Sequence, residues 1–359
     1  LLTVPAGEKP LFAYVFRATI QNLRIYGEQI EGYGLINNME GVGLSGSAVV
    51  IDNVTIESGT KILKSGLLGA EITTNGFAGC SAGYVSTIKN CTIKEGVIIG
   101  YKGDQDKIGS FAGRLQGTIE NCVSYATVMG TNYVGGIIGT RDNAMGNCSV
   151  TNCTFGGKVV GSGENVGGIV GGGYQNSTAP NGAKISITGC KASGTVSGDS
   201  NVGGIIGSDA FVAQSWGGYN FTDNTFTGKI SGNSNVGAII GYYKSMNKCD
   251  NISNNQYSKD CGVDKPVGGI WLIDTSCENP TEIEGTTYVN TENGTAGLPS
   301  VTGCSWKTGF NRTDDPLGKD IAKLFKVIGA VMLGDVDQNG EVDVDDVLLA
   351  NDYYLSKAE

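Results

Sequence analysis

A short apolar run, broken by a residue suited to a left-handed backbone, recurs eight times in the first 255 residues. The copies are Ile20-Gln21-Asn22-Leu23, Ile51-Asp52-Asn53-Val54, Ile88-Lys89-Asn90-Cys91, Ile119-Glu120-Asn121-Cys122, Val150-Thr151-Asn152-Cys153, Ile187-Thr188-Gly189-Cys190, Phe221-Thr222-Asp223-Asn224 and Ile252-Ser253-Asn254-Asn255. Their third residues are separated by steps of 31, 37, 31, 31, 37, 34 and 31. A period in this range signals repeats that stack, because one such unit cannot bury its apolar side alone.

The third position is Asn six times, Gly once and Asp once, the residues that accept positive φ at least expense, so a sharp corner is expected there. Brief alternating runs of Ile, Val, Thr and Cys flank each corner and read as short strands. A second element, Asn165-Val166-Gly167-Gly168-Ile169-Val170-Gly171, recurs at Val134 to Gly139, Val202 to Gly207 and Val236 to Gly241, and in weaker form at Ile108 to Gly113 and Val267 to Trp271. The expectation is about three short strands per repeat in an all-β, right-handed parallel β-helix of about eight coils, since parallel crossovers are right-handed by default. With 58 Gly among 359 residues, tight corners and close stacking are well supplied.

The Val-Gly-Gly-Ile-Ile-Gly element, preceded by Asn and followed by an Ile-x-Asn-Cys strand, resembles the GLUG repeat of bacterial secreted and surface proteins, including adhesins and immunoglobulin A peptidase-like proteins. The resemblance covers residues 100 to 272 clearly and 11 to 100 more loosely, where Leu11-Phe12-Ala13-Tyr14-Val15 precedes Ile20-Gln21-Asn22-Leu23 without the double glycine. It implies a bacterial β-solenoid, secreted or attached to the cell surface.

The formal charge is −10, but residues 335 to 359 hold eight acids and one base, a balance of −7 that leaves −3 for everything before them. A nearly neutral repeat region argues against nucleic acid, whose binding needs clustered Lys and Arg. With no His in the chain, Ser-His-Asp, Cys-His and His-zinc sites are excluded. Glu57, Glu71, Glu95, Glu120, Glu164 and Asp199 fall at non-equivalent repeat positions, as solvated polar sites do, and Asp104 with Asp106 reads as a solvated loop. No catalytic residue is therefore assigned. There is no run of 18 apolar residues, hence no expected membrane span. The opening at Leu1, without a signal-like segment, suggests a mature or excised portion from which an upstream cap or domain has been removed.

Of the ten cysteines, Cys91, Cys122, Cys153 and Cys190 occupy one repeat position and should stack inside the molecule as free thiols, because in-line stacking on parallel strands suits a disulfide poorly. Cys277 and Cys304 lie outside that column and could be bonded or free.

From the corners at 121, 152, 189, 223 and 254 to the following Val the count is 13 or 14, although the arm carrying Asp104 and Asp106 is longer, whereas from Val134, Val166, Val202 and Val236 to the next corner it is 18, 23, 21 and 18. Extra residues thus enter at one edge, directly after the glycine element. Stacking would align them on one face, the usual recognition side of a repeat protein. That edge carries Tyr174, Phe211, Trp216, Tyr219, Tyr242 and Tyr243, flat rings suited to a glycan or a host surface protein. The same rings would also serve as cover for neighbouring strand ends.

Residues 273 to 333 read as a terminal coil or irregular linker. Within them, Asp320 to Leu333 fits a helix or, over Val327 to Leu333, a strand. In the final segment, 334 to 359, Asp335, Asp337, Asn339, Glu341, Asp343 and Asp346 fall at positions 1, 3, 5, 7, 9 and 12 of a calcium loop, with Gly340 at 6. Val347, Leu348 and Leu355 would form the apolar face of a following helix. This loop and helix resemble one half of a dockerin, which implies calcium as cofactor and a cohesin-like module as partner. The combined expectation is a non-catalytic adhesin or display solenoid. A carbohydrate-active enzyme, or an accessory module carried by the dockerin-like end, is the alternative.

Overall fold

The computed structural model describes residues 1–7, 11–15, 18–31, 36–39, 50–63, 86–115, 117–141, 148–173, 185–210, 219–245, 251–272 and 325–328. Among them the chain is all-β, without a helix, and its strands pair in parallel in stacked sheets.

One repeat shows how the sequence makes the unit. Cys148–Thr151, Thr154–Phe155, Lys158–Gly161, Glu164–Gly167 and Val170–Gly173 follow each other as five strands rather than the expected three. One of the breaks, at Asn152, is a corner of positive φ, and Asn165 inside the fourth strand shares that conformation. All eight expected corner residues have it, from Asn53 at 51° to Gly189 at 65°. A second series stands one residue before the glycine element, at Lys107, Tyr133, Asn165, Asn201 and Asn235, with φ between 49° and 63°.

Among the described residues, strands pair with their own equivalents in adjacent repeats, so register is kept across the 31 to 37 residue steps. Val150 lies between Ile119 and Ile187, Val159 between Val128 and Val196, and Val166 between Val134 and Val202. First and second strands build one sheet of 16 strands. Third, fourth and fifth strands build sheets of six, five and six. The looser N-terminal copies join the same stack, Ile20 beside Ile51 and Leu23 beside Val54.

The interior is filled by columns of like-placed side chains, among them Ile56, Ile93, Ser124, Phe155, Ala192, Phe226 and Tyr257, all buried. The glycine element has a steric origin. A Cβ on Gly135 would meet the Ile138 carbonyl and the Gly171 nitrogen, and one on Gly171 would meet the Gly139 carbonyl and the backbone at Tyr133 and Val134. The fourth strand of one repeat and the fifth of the next thus touch backbone to backbone. The middle glycine also makes room for an aromatic ring: a Cβ on Gly136 would meet the Gly168 carbonyl and the Phe155 ring, and one on Gly204 the Ala238 carbonyl and the Phe226 ring.

Phe325–Ile328 is a strand, not part of a helix, and pairs with Asn255–Ser258 at the end of the largest sheet, Phe325 beside Asn255 and Ile328 beside Ser258. Its conformation comes from the sheet edge it joins, which the local apolar spacing does not report.

Candidate binding faces

The segments inserted between repeats connect Ile138–Arg141 to Cys148–Thr151, Val170–Gly173 to Ile185–Thr188, Ile206–Ala210 to Tyr219–Thr222 and Ile240–Ser245 to Asn251–Ser253. The fifth strands stack in register and so do the first strands. All four insertions therefore leave and return along one edge. Tyr174, Phe211 and Trp216 lie outside the described residues. Tyr219 begins a strand beside Ile185. Tyr242 is half-buried, and a Cβ on Gly269 in the next strand would strike its ring. Tyr243, expected at the recognition edge, is corrected to a core position: it is only 3% exposed, because along a strand successive side chains take opposite faces and Tyr243 takes the inner one.

The cysteine column is continuous. Cys91, Cys122, Cys153 and Cys190 are buried and free, as are Cys148 and Cys261. Cys91 Sγ accepts the Val54 N–H at 3.4 Å and Cys122 Sγ accepts the Cys91 N–H at 3.4 Å. Hydrogen bonding with Cys153 and Cys91, with burial, raises the Cys122 thiol above its ordinary pKa, and burial first, then Cys153, raises Cys190. Both positions favour the neutral thiol over a reactive thiolate. The column continues as Asn224 and Asn255, fully buried amides that sequence reading passed over.

Among the carboxylates, Glu57 is the most constrained. Its Oε1 accepts from Arg24 Nε at 2.6 Å and its Oε2 from Lys94 Nζ at 2.7 Å, so one acid ties three successive repeats. Arg24 first and Lys94 second hold its pKa down to about 2. A general acid at neutral pH needs the opposite shift. Among the described residues no group of three or more His, Cys, Asp or Glu is placed to hold a metal ion, and no helix is long and apolar enough to cross a membrane. Asp335, Asp337, Asn339, Glu341, Asp343 and Asp346 lie outside the described residues, as do Cys277 and Cys304.

Sequence reading missed Tyr125, 46% exposed on the second-strand face. Its signal was available: it stands four residues after a corner, where the next repeats carry Gly156 and Ser193.

No family model matches the chain, and no curated protein or solved structure matches it.

Proposed function

We propose that the stacked sheets close around their common core into a right-handed parallel β-helix, and that this solenoid is a non-catalytic adhesin or display scaffold, secreted or held at the cell surface. It presents the segments inserted between fifth and first strands to a glycan or a host surface protein. One observation carries the reading: from residue 121 onward register is held from repeat to repeat while the larger additions enter at a single edge. A framework that concentrates its larger length changes at one edge is suited to displaying variable surface. Right-handed closure follows from the handedness of parallel crossovers. The GLUG-like text supports the secreted or surface location, and the downward shift of Glu57 gives the carbohydrate-active alternative no proton donor there.

The C-terminal segment, on this reading, is a calcium-dependent attachment device that meets a cohesin-like module. The support is the spacing of Asp335, Asp337, Asn339, Glu341, Asp343 and Asp346 around Gly340. Calorimetry should find calcium uptake by the chain that Asp335→Ala or Asp346→Ala abolishes, without a change in melting of the repeats.

The recognition edge is tested by truncating Trp216, Tyr219 and Tyr242 to Ala. Binding on a glycan array or to a host protein should weaken by about 1 kcal/mol or more while melting is kept. Lower melting with unchanged affinity would assign these rings to strand cover and leave the chain as a spacer.

A further inference from the structure

Across the second strand, the third strand and the break between them, three outward columns run side by side. The middle column holds Tyr125, Gly156 and Ser193 in successive repeats, tied by Gly156 N–H donating to the Ser124 carbonyl at 2.8 Å and Ser193 N–H donating to the Phe155 carbonyl at 2.9 Å. Lys158 stands in the column on one side, between Thr127 and Thr195. On the other side Lys191 stands beside Thr154.

Tyr125 is, with Leu1, one of two large hydrophobic side chains exposed among the described residues. Its ring is seated where the next repeat has no side chain: a Cβ on Gly156 would lie 2.7 Å from Tyr125 Cδ1 and Cε1. The Ser193 hydroxyl follows, 3.6 Å from the same point. The ring thus rests on the sheet and offers a broad surface to solvent.

Two cations beside it are unpaired. Lys158 and Lys191 are exposed and neither has an ion-pair partner among the described residues. Both lie one to two repeat spacings from Tyr125, about 5 to 10 Å along the stack. One repeat earlier in the middle column, Lys94 is already neutralised by Glu57. The exposed Glu95 follows Lys94 on the opposite side of Tyr125 from Lys158, so the two unpaired ammonium groups stand together in the later repeats.

We propose that this face binds an acidic polysaccharide, a sugar ring stacking on Tyr125 and its carboxylates meeting Lys158 and Lys191. An aromatic face accepts the C–H side of a pyranose, the Ser193 hydroxyl suits its hydroxyls, and paired ammonium groups select a charged chain over a neutral one. Two ammonium groups are too few for a nucleic acid, whose affinity comes from many phosphate contacts. This site is separate from the insertion edge.

The test is calorimetric titration of the full chain with an oligogalacturonate, a neutral cello-oligosaccharide of equal length and a single-stranded oligonucleotide. The acidic sugar should bind at least about ten-fold more tightly than the neutral one. Tyr125→Ala should weaken it by at least about five-fold, while Tyr125→Phe retains it. The double variant Lys158→Gln, Lys191→Gln should remove the preference for the acidic sugar, and it decides the matter if Tyr125→Ala lowers the melting temperature. The Trp216, Tyr219, Tyr242 triple variant should keep this binding, so failure at the insertion edge and failure here are told apart. No uptake of the acidic sugar, equal uptake of the neutral one or of the oligonucleotide, or affinity untouched by the Tyr125 and lysine variants would each overturn the proposal.

Discussion

The thiol stretch and the amide stretch of the interior occupy one structural position and solve one problem with different chemistry. From Cys91 to Cys190 a sulfur takes the backbone N–H from the preceding repeat and faces the carbonyl two residues before the preceding corner: Ile51 at 3.9 Å, Ile88 at 3.8 Å, Ile119 at 3.7 Å and Val150 at 3.4 Å. At Asn224 the amide oxygen accepts the Cys190 N–H at 3.0 Å, and its nitrogen donates to the Ile187 carbonyl at 2.8 Å and to Asn255 Oδ1 at 2.9 Å. Asn255 in turn accepts the Asn224 N–H at 3.1 Å and donates to the Phe221 carbonyl at 2.7 Å. The corner disrupts the ladder beside it, and a small buried group that both donates and accepts repairs it. Sulfur does this weakly and packs as an apolar group. The amide does it strongly and depends on all its partners.

The largest effect should come from breaking the amide stretch. Asn224→Ala leaves buried backbone groups of Cys190 and Ile187 unpaired and should lower stability by about 2 to 4 kcal/mol. Cys122→Ala, which removes a weak hydrogen-bonding group and little volume, should lower it by about 1 to 2 kcal/mol. Equal losses in denaturant melts would mean that both residues act as filler and that the contrast is wrong.

The corners should behave alike in both stretches. Asn121→Val beside a thiol and Asn254→Val beside an amide should each lower stability by about 1 to 3 kcal/mol through strain at positive φ, while the Gly variants change little. A much larger loss at one of them would show that the corner and the column act together there.

Exchanging the two chemistries sharpens the comparison further. Asn224→Cys should recover about 1 kcal/mol of what Asn224→Ala loses, since the thiol can restore an acceptor to the Cys190 N–H. No recovery in melting would show that the amide's second donor, to Asn255, is the part that matters.

The smallest effect is electrostatic and confined to the thiol end of the stack. Because Glu57 has its pKa lowered to about 2 in the folded chain, its contribution is complete above the ordinary carboxylate range and is lost as pH falls through that range toward 2. Arg24 is 60% exposed, so screening by solvent keeps the effect small. Melting of Glu57→Gln should fall below that of the parent at pH 7 and converge with it near pH 2; a gap that persists in acid would assign the loss to packing.

Much of the stack was legible in the sequence because it is written in local preference and repeated. The eight corners follow from the backbone freedom of Asn, Gly and Asp at one phase of the period, and all eight adopt positive φ. The buried free thiols follow from recurrence at the next residue. The edge of insertion follows from counting. The tertiary structure alone decided what depends on neighbours. Strands as short as Thr154–Phe155 exist only because Val123 and Lys191 flank them in register. Tyr133 takes positive φ, against its own preference, beside Asn165 of the next repeat, and Lys107 does so beside Tyr133. The glycines of the Val-Gly-Gly element are required by backbones that meet from different repeats, which no single repeat displays. Tyr243 turned inward, Phe325–Ile328 became a strand on Asn255–Ser258, and Asn224 and Asn255 took over the thiol column, since burial and pairing are set by contacts across the stack and not by the residues adjacent in the chain.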